Sequence, residues 1–85
     1  MEINAFRKVQ IGKIRAKVDI RTKEGIIIKG FKVIEGENGL FVGMPSERTR
    51  LGKYVDTVQI PEEDTREMLV NLILDEYERR MGKEE

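Results

Sequence analysis

The sequence predicts an α+β domain, an antiparallel sheet of four to five strands followed by one C-terminal helix and assembled as a homodimer. Three observations carry this. Ile14, Ala16, Val18 and Ile20 alternate without a break against Lys13, Arg15, Lys17, Asp19 and Arg21, the pattern of a strand with one buried face. Glu37-Asn38-Gly39 separates two apolar runs, and Asn-Gly readily takes the positive φ values of a two-residue hairpin turn. Beyond Pro61 the chain carries helix signals at both ends, acids at its start and Arg79, Arg80 and Lys83 at its finish. A chain of 85 residues has room for one domain. It buries only about 60% of the surface that its unfolded form exposes, which favours self-association.

In chain order, Ile3, Ala5, Val9 and Ile11 alternate imperfectly with Asn4, Phe6, Lys8 and Gln10 and suggest a first strand. Gly12 permits a turn, and Ile14 to Arg21 follows as the second strand. Its basic residues should stand about 6.5 Å apart along one face as a stripe that only Asp19 interrupts. Thr22-Lys23-Glu24-Gly25 reads as the next turn, and Ile26-Ile27-Ile28 opens a third strand. Parity slips between Ile28 and Phe31, and Gly30 lies at the slip, where a bulge would restore the apolar face. The third strand then enters the Asn-Gly hairpin, which should set Val33 and Ile34 opposite Leu40 to Val42. Pro45 stops that second hairpin strand and leaves a charged loop to Lys53; Tyr54 to Ile60 is expected as a fifth strand.

Residues 1–60 thus supply the sheet and 61–82 the helix, with 83–85 as a frayed tail. Asp64-Thr65-Arg66-Glu67 fits a capping box with Asp64 as N-cap, and Gly82 is the expected stop. Met68, Leu69, Val70, Leu72, Ile73, Leu74, Tyr77 and Met81 cover more of the helix than a stripe of about 100°. The surplus is expected to meet a second copy of the chain.

Composition narrows the chemistry. The chain has no cysteine and no histidine, which excludes disulfides, thiolate metal sites and the commonest nucleophile and base pairs. No metal-ligand cluster or glycine-rich phosphate loop accompanies Ser46, Asp56 or Glu35, so neither an enzyme nor a cofactor is expected. No apolar run approaches the roughly 20 residues of a membrane span, and a cytoplasmic address is expected. Net charge is zero, yet residues 1–55 hold twelve Lys or Arg against six Asp or Glu, whereas residues 56–85 hold four against ten. The basic residues Lys13, Arg15, Lys17 and Arg21 on the strand, with Arg48, Arg50 and Lys53 after Pro45, suit phosphate contacts. A basic sheet that simply attracts an acidic helix, or a partner protein, is the competing reading. Arg66 lies in the first helical turn, where backbone N–H groups can hold a phosphate although four acids stand nearby.

Val33-Ile-Glu-Gly-Glu-Asn-Gly-Leu-Phe-Val-Gly-Met-Pro-Ser-Glu-Arg-Thr49, with Gly52-Lys53-Tyr54 and Asp56, resembles the central signature of the stage V sporulation protein G (SpoVG) family. Arg15-Ala16 upstream, and Thr65-Arg66 and Glu76-Tyr77 downstream, extend the resemblance over nearly the whole chain. It implies a homodimeric DNA-binding regulator of gene expression, cell division and sporulation, with RNA as a second ligand of some members. The loop Met44-Pro45-Ser46-Glu47-Arg48-Thr49 and the helix start Thr65-Arg66-Glu67-Met68 match family motifs, so Arg48, Thr49, Thr65 and Arg66 carry over as nucleic-acid contacts. Glu47, and Glu67 or Met68, stand where Lys is usual in the family. The expected function is nucleic-acid binding through Arg48, Thr49, Arg50, Thr65 and Arg66, supported by Lys13, Arg15 and Lys17. The alternative is a protein-interaction module; basic residues of two subunits converging on one face would favour nucleic acid, and basic patches scattered around the dimer or covered by acidic helices would favour protein contact.

Overall fold

The computed structural model describes residues 1–83, the last of them by its backbone. Four strands, β1 (Glu2–Ile11), β2 (Ile14–Arg21), β3 (Ile27–Gly36) and β4 (Gly39–Gly43), form an antiparallel meander in sequence order. β5 (Ser46–Arg48) and β6 (Tyr54–Asp56) pair with each other in a separate two-stranded ribbon, and α1 (Glu63–Lys83) follows. The expected fifth strand is therefore shorter and lies outside the main sheet. Of the charged stretch before it, Ser46–Arg48 is its partner strand, and only residues 49–53 form the loop between them. Thr57 N–H donates to the Pro45 carbonyl (2.8 Å) and closes the ribbon at its base. Val58 and Ile60 pack against the core without strand pairing.

The alternation in β2 does what its period requires. Ala16, Val18 and Ile20 are buried with Phe31 and Val33 of β3, and Leu69 and Ile73 of α1 close over them. Apart from Ala16, each such side chain contributes about 1.5–3 kcal/mol through burial. The parity slip in β3 is a bulge: Val18 pairs with Phe31 and Ile20 with Ile28, so β3 spends one residue more than β2 between those pairs. Gly30 sits there at φ 100°, a conformation that a side chain opposes. A bulge at Asn4 in β1 also reverses the expected facing, since Ile3 opposes Ile20 and Ala5 opposes Asp19. Phe6, opposite Val18, consequently packs on the core in place of Ala5.

The Asn-Gly hairpin has the expected register, with Val33 opposite Val42 and Ile34 opposite Phe41. Its turn differs: Gly36 pairs with Gly39 and the positive φ falls on Gly39 alone, so the mirror-image turn with Asn38 at positive φ is not formed. A Thr-x-x-Gly turn occurs twice. Thr22 accepts from Gly25 through its carbonyl (3.0 Å) and from the Ile26 N–H through its hydroxyl (3.0 Å), and Thr49 does the same with Gly52 (3.0 Å) and Lys53 (3.3 Å).

The helix starts two residues before the capping box would place it, with Glu62 rather than Asp64 in the N-cap position. Its first bond runs from Arg66 N–H to the Glu62 carbonyl (3.0 Å), so Asp64 lies inside the first turn. It continues through Gly82, whose φ is not positive and forms no left-handed cap. Lys83, expected to fray, belongs to the helix; the rest of the expected tail lies outside the described residues. Glu76 falls on the inward face three residues after Ile73 and is buried. Its carboxylate accepts from Arg80 (2.6 Å) and from Arg79, and the Arg80 guanidinium lies 4.5 Å above the Phe6 ring of β1. This ties the second half of α1 to the sheet.

The Arg80 hydrogen bond, with Arg79 assisting, holds the Glu76 carboxyl below the usual carboxylate range even though burial opposes it. A lowered folded-state pKa gives stability that is complete above the unfolded value and lost as pH falls through the folded one. Glu76→Gln is therefore expected to flatten the acid limb of a stability–pH curve below about pH 4.5, as followed by urea denaturation. Gly30→Ala should cost about 1–2 kcal/mol in the same assay, from forcing a side chain into a positive-φ backbone.

Candidate nucleic-acid interface

With Ala16 and Val18 turned to the helix, Lys17 must face the opposite side of the sheet. The same holds for Lys32 between Phe31 and Val33. Pairing then does what no single strand can. Arg7 lies opposite Lys17 and Lys17 opposite Lys32, so three cations stand abreast across β1, β2 and β3. Directly opposed residues have Cβ atoms about 4.5–5.5 Å apart, and like charges so placed destabilise a sheet. Among the described residues none of the three forms an ion pair with a carboxylate.

The row leads to the ribbon. Lys32 Nζ donates to the Ser46 hydroxyl (3.4 Å) at the start of β5, and Pro45 packs where a Cβ on Gly30 would lie (3.6 Å). From this base Arg48 projects opposite Tyr54, its guanidinium beside Gly52 at 3.3 Å from where a Cβ would sit. Arg50 and Leu51 occupy the turn, both exposed, and Leu51 and Tyr54 are 85% and 72% exposed. Thr49 is engaged in the turn through its hydroxyl, N–H and carbonyl. Arg66 donates to the Ile60 carbonyl (3.2 Å) and shares a cavity of about 320 Å³ with Asp56 of β6 and Val58, which brings the start of α1 close to the ribbon base. Thr65 is exposed in the first helical turn.

Arg15 does not join them. Ile14 pairs with Ile34 and Ala16 with Val33, so Arg15 is the extra residue of a bulge. Its guanidinium donates to the Gly12 carbonyl (2.8 Å) and to Glu35 (3.1 Å) and lines a cavity of about 440 Å³ with Tyr77 and Met81 of α1. The expected stripe is thus divided: Lys17 lies on the open face, Arg15 on the helix face, and Lys13 at the exposed β1–β2 turn. Arg7 and Lys32 were not among the sequence-derived candidates, because only register, not spacing along one strand, places them beside Lys17. Glu47, opposite Val55, puts a negative charge in the middle of β5. Among the described residues no cluster of three acidic side chains is arranged to hold a metal ion, and no helix is long and apolar enough to cross a membrane.

Comparison with known proteins bears on the whole chain. A family model described as SpoVG matches residues 1–79. A Clostridium perfringens protein named "Putative septation protein SpoVG" is 41% identical over 75 residues, which cover 87% of this chain and 83% of the relative. Proteins of the same name from Thermoanaerobacter sp. and Clostridium novyi are each 40% identical, covering 99% and 86% of this chain and 95% and 74% of their own lengths.

The cation row makes Lys17 a position where stability and surface charge conflict. Lys17→Glu replaces two like-charge pairs by two attractive ones, so it is expected to raise stability by about 0.5 kcal/mol in urea denaturation.

Proposed function

Because the chain belongs to the SpoVG family, we propose that it is a nucleic-acid-binding regulatory protein of gene expression and of cell division or septation, acting on DNA with RNA as the alternative ligand. The observation that carries this reading is the row of Arg7, Lys17 and Lys32, which ends at Ser46, where the ribbon bearing Arg48 and Arg50 begins. Phosphates neutralised along such a track release counterions, and this supplies affinity without reading sequence. Arg48 and Arg50 are the main contacts at the ribbon, with Thr49 shaping the turn that presents them. Arg66 and Thr65 extend the surface at the helix start, and Lys13 lies at its margin. Arg15 instead holds the β1–β2 hairpin to Glu35.

The row lies on one face of a single chain, and its convergence with that of a second subunit would favour nucleic acid over a protein-interaction module. The same reading has the protein act as a homodimer, in which the exposed Ile26, Ile27 and Met68 are covered by a second copy. Sedimentation equilibrium is expected to return twice the 9.9 kDa chain mass.

The direct test is fluorescence anisotropy of a labelled duplex at two salt concentrations. Four phosphate contacts give a slope of about −3.6 in log K against log salt, on the order of a hundredfold loss between 50 and 200 mM. The double variant Arg48→Ala, Arg66→Ala should reduce that slope by about 1.8 units. Absence of binding at micromolar protein in low salt would remove the proposal.

A further inference from the structure

The open sheet face carries more than charge. Ile34 pairs with Phe41, and Lys32 pairs with Gly43 one step along the same two strands, so Phe41 lies diagonal to Lys32 at the end of the cation row. Phe41 is 50% exposed and does not belong to the core. Its ring atoms lie 3.0 and 3.3 Å from where a Cβ on Gly36 would sit, so the ring rests against bare backbone at a place that no larger residue leaves free. The face therefore sets a half-exposed aromatic beside three cations that, among the described residues, have no carboxylate partner.

We infer that this face binds single-stranded nucleic acid, with one base stacked on Phe41 and the backbone phosphates carried by Lys32, Lys17 and Arg7. The inference rests on the nucleic-acid reading above and adds to it a strand state and a contact that discriminates. Duplex bases are already stacked on their neighbours and present no face to a ring, whereas an unpaired base does. Exposed rings beside a basic track on a four-stranded antiparallel sheet are one general arrangement for this purpose. Charge decides against a second copy of the chain as the occupant. Two such faces laid together would bring a three-cation row toward another of the same sign, whereas a polyanion relieves the repulsion already present between Arg7, Lys17 and Lys32.

The test uses labelled oligo-dT and oligo-U of about 12 nucleotides beside a duplex of equal length. Wild-type protein is expected to bind at least one of the single strands about tenfold more tightly than the duplex at the same salt. Phe41→Leu keeps an apolar side chain at the site but removes the stacking surface. It should lose about tenfold on the single strand and less than twofold on the duplex, with unchanged far-UV circular dichroism. The chain has no tryptophan, so Phe41→Trp introduces a single reporter whose emission the bound single strand should quench.

Duplex binding without any single-strand preference would overturn this inference and leave the regulator reading intact, whereas no binding to any of the three probes would overturn both. Loss on Tyr54→Ala but not on Phe41→Leu would move the stacking to the ribbon and overturn the assignment. A change from dimer to monomer in Phe41→Leu with oligonucleotide affinity unaltered would show the face to be an interface between copies, and would likewise overturn it.

Discussion

Leu69 and Ile73 seat α1 on a sheet face made by Ala16, Val18, Ile20, Phe31 and Val33, and the polar surface of the molecule is arranged around that contact. One helix can cover one face. Once α1 occupies it, residues that alternate with the buried ones are committed to the other side wherever no bulge intervenes, which is why Lys17 and Lys32 emerge together. The Glu76 cluster reinforces the same seat at the far end of the helix. There a carboxylate is kept ionised under burial by two guanidinium groups, one of which also lies over Phe6.

The bulges decide which side chains reach which side. An extra residue at Gly30 returns Phe31 and Val33 to the core after Ile28, and without it the second half of β3 would present its apolar set to water. The bulge at Arg15 turns one cation out of the open face and into a bond with Glu35 across the hairpin. The bulge at Asn4 brings Phe6 inward, where it meets Tyr77 at 6.4 Å between ring centroids. A regular four-stranded meander of the same composition would have a different charged face.

Much of this was legible in the residues. Unbroken alternation from Ile14 to Ile20 specified a strand and its buried side, and the misplaced parity around Gly30 specified a bulge, because both depend only on the period of two along one chain. The Asn-Gly pairing was legible in register but not in turn geometry, since Gly39 alone satisfies the positive φ. What could not be read were relations between strands: that Arg7 and Lys32 flank Lys17, that Phe41 lies at the end of their row, and that Tyr54 folds back onto Arg48. Bulges at Asn4 and Arg15 leave no glycine to mark them. The helix boundaries were displaced because Glu62, not Asp64, offers the first carbonyl and because Gly82 continues the helix.

The ribbon meets the main body chiefly at its base, through Pro45 against Gly30, Ser46 with Lys32, and Thr57 with Pro45. Its turn is closed by its own Thr-x-x-Gly hydrogen bonds and takes nothing from the core. The outer residues, Glu47 to Tyr54, therefore form a replaceable cassette. Substitutions among them, including ones that reverse a charge, leave the side chains of the helix–sheet contact in place. A change in what the ribbon presents to its surroundings is thus a local affair of eight residues, made away from the helix–sheet contact that holds the body together.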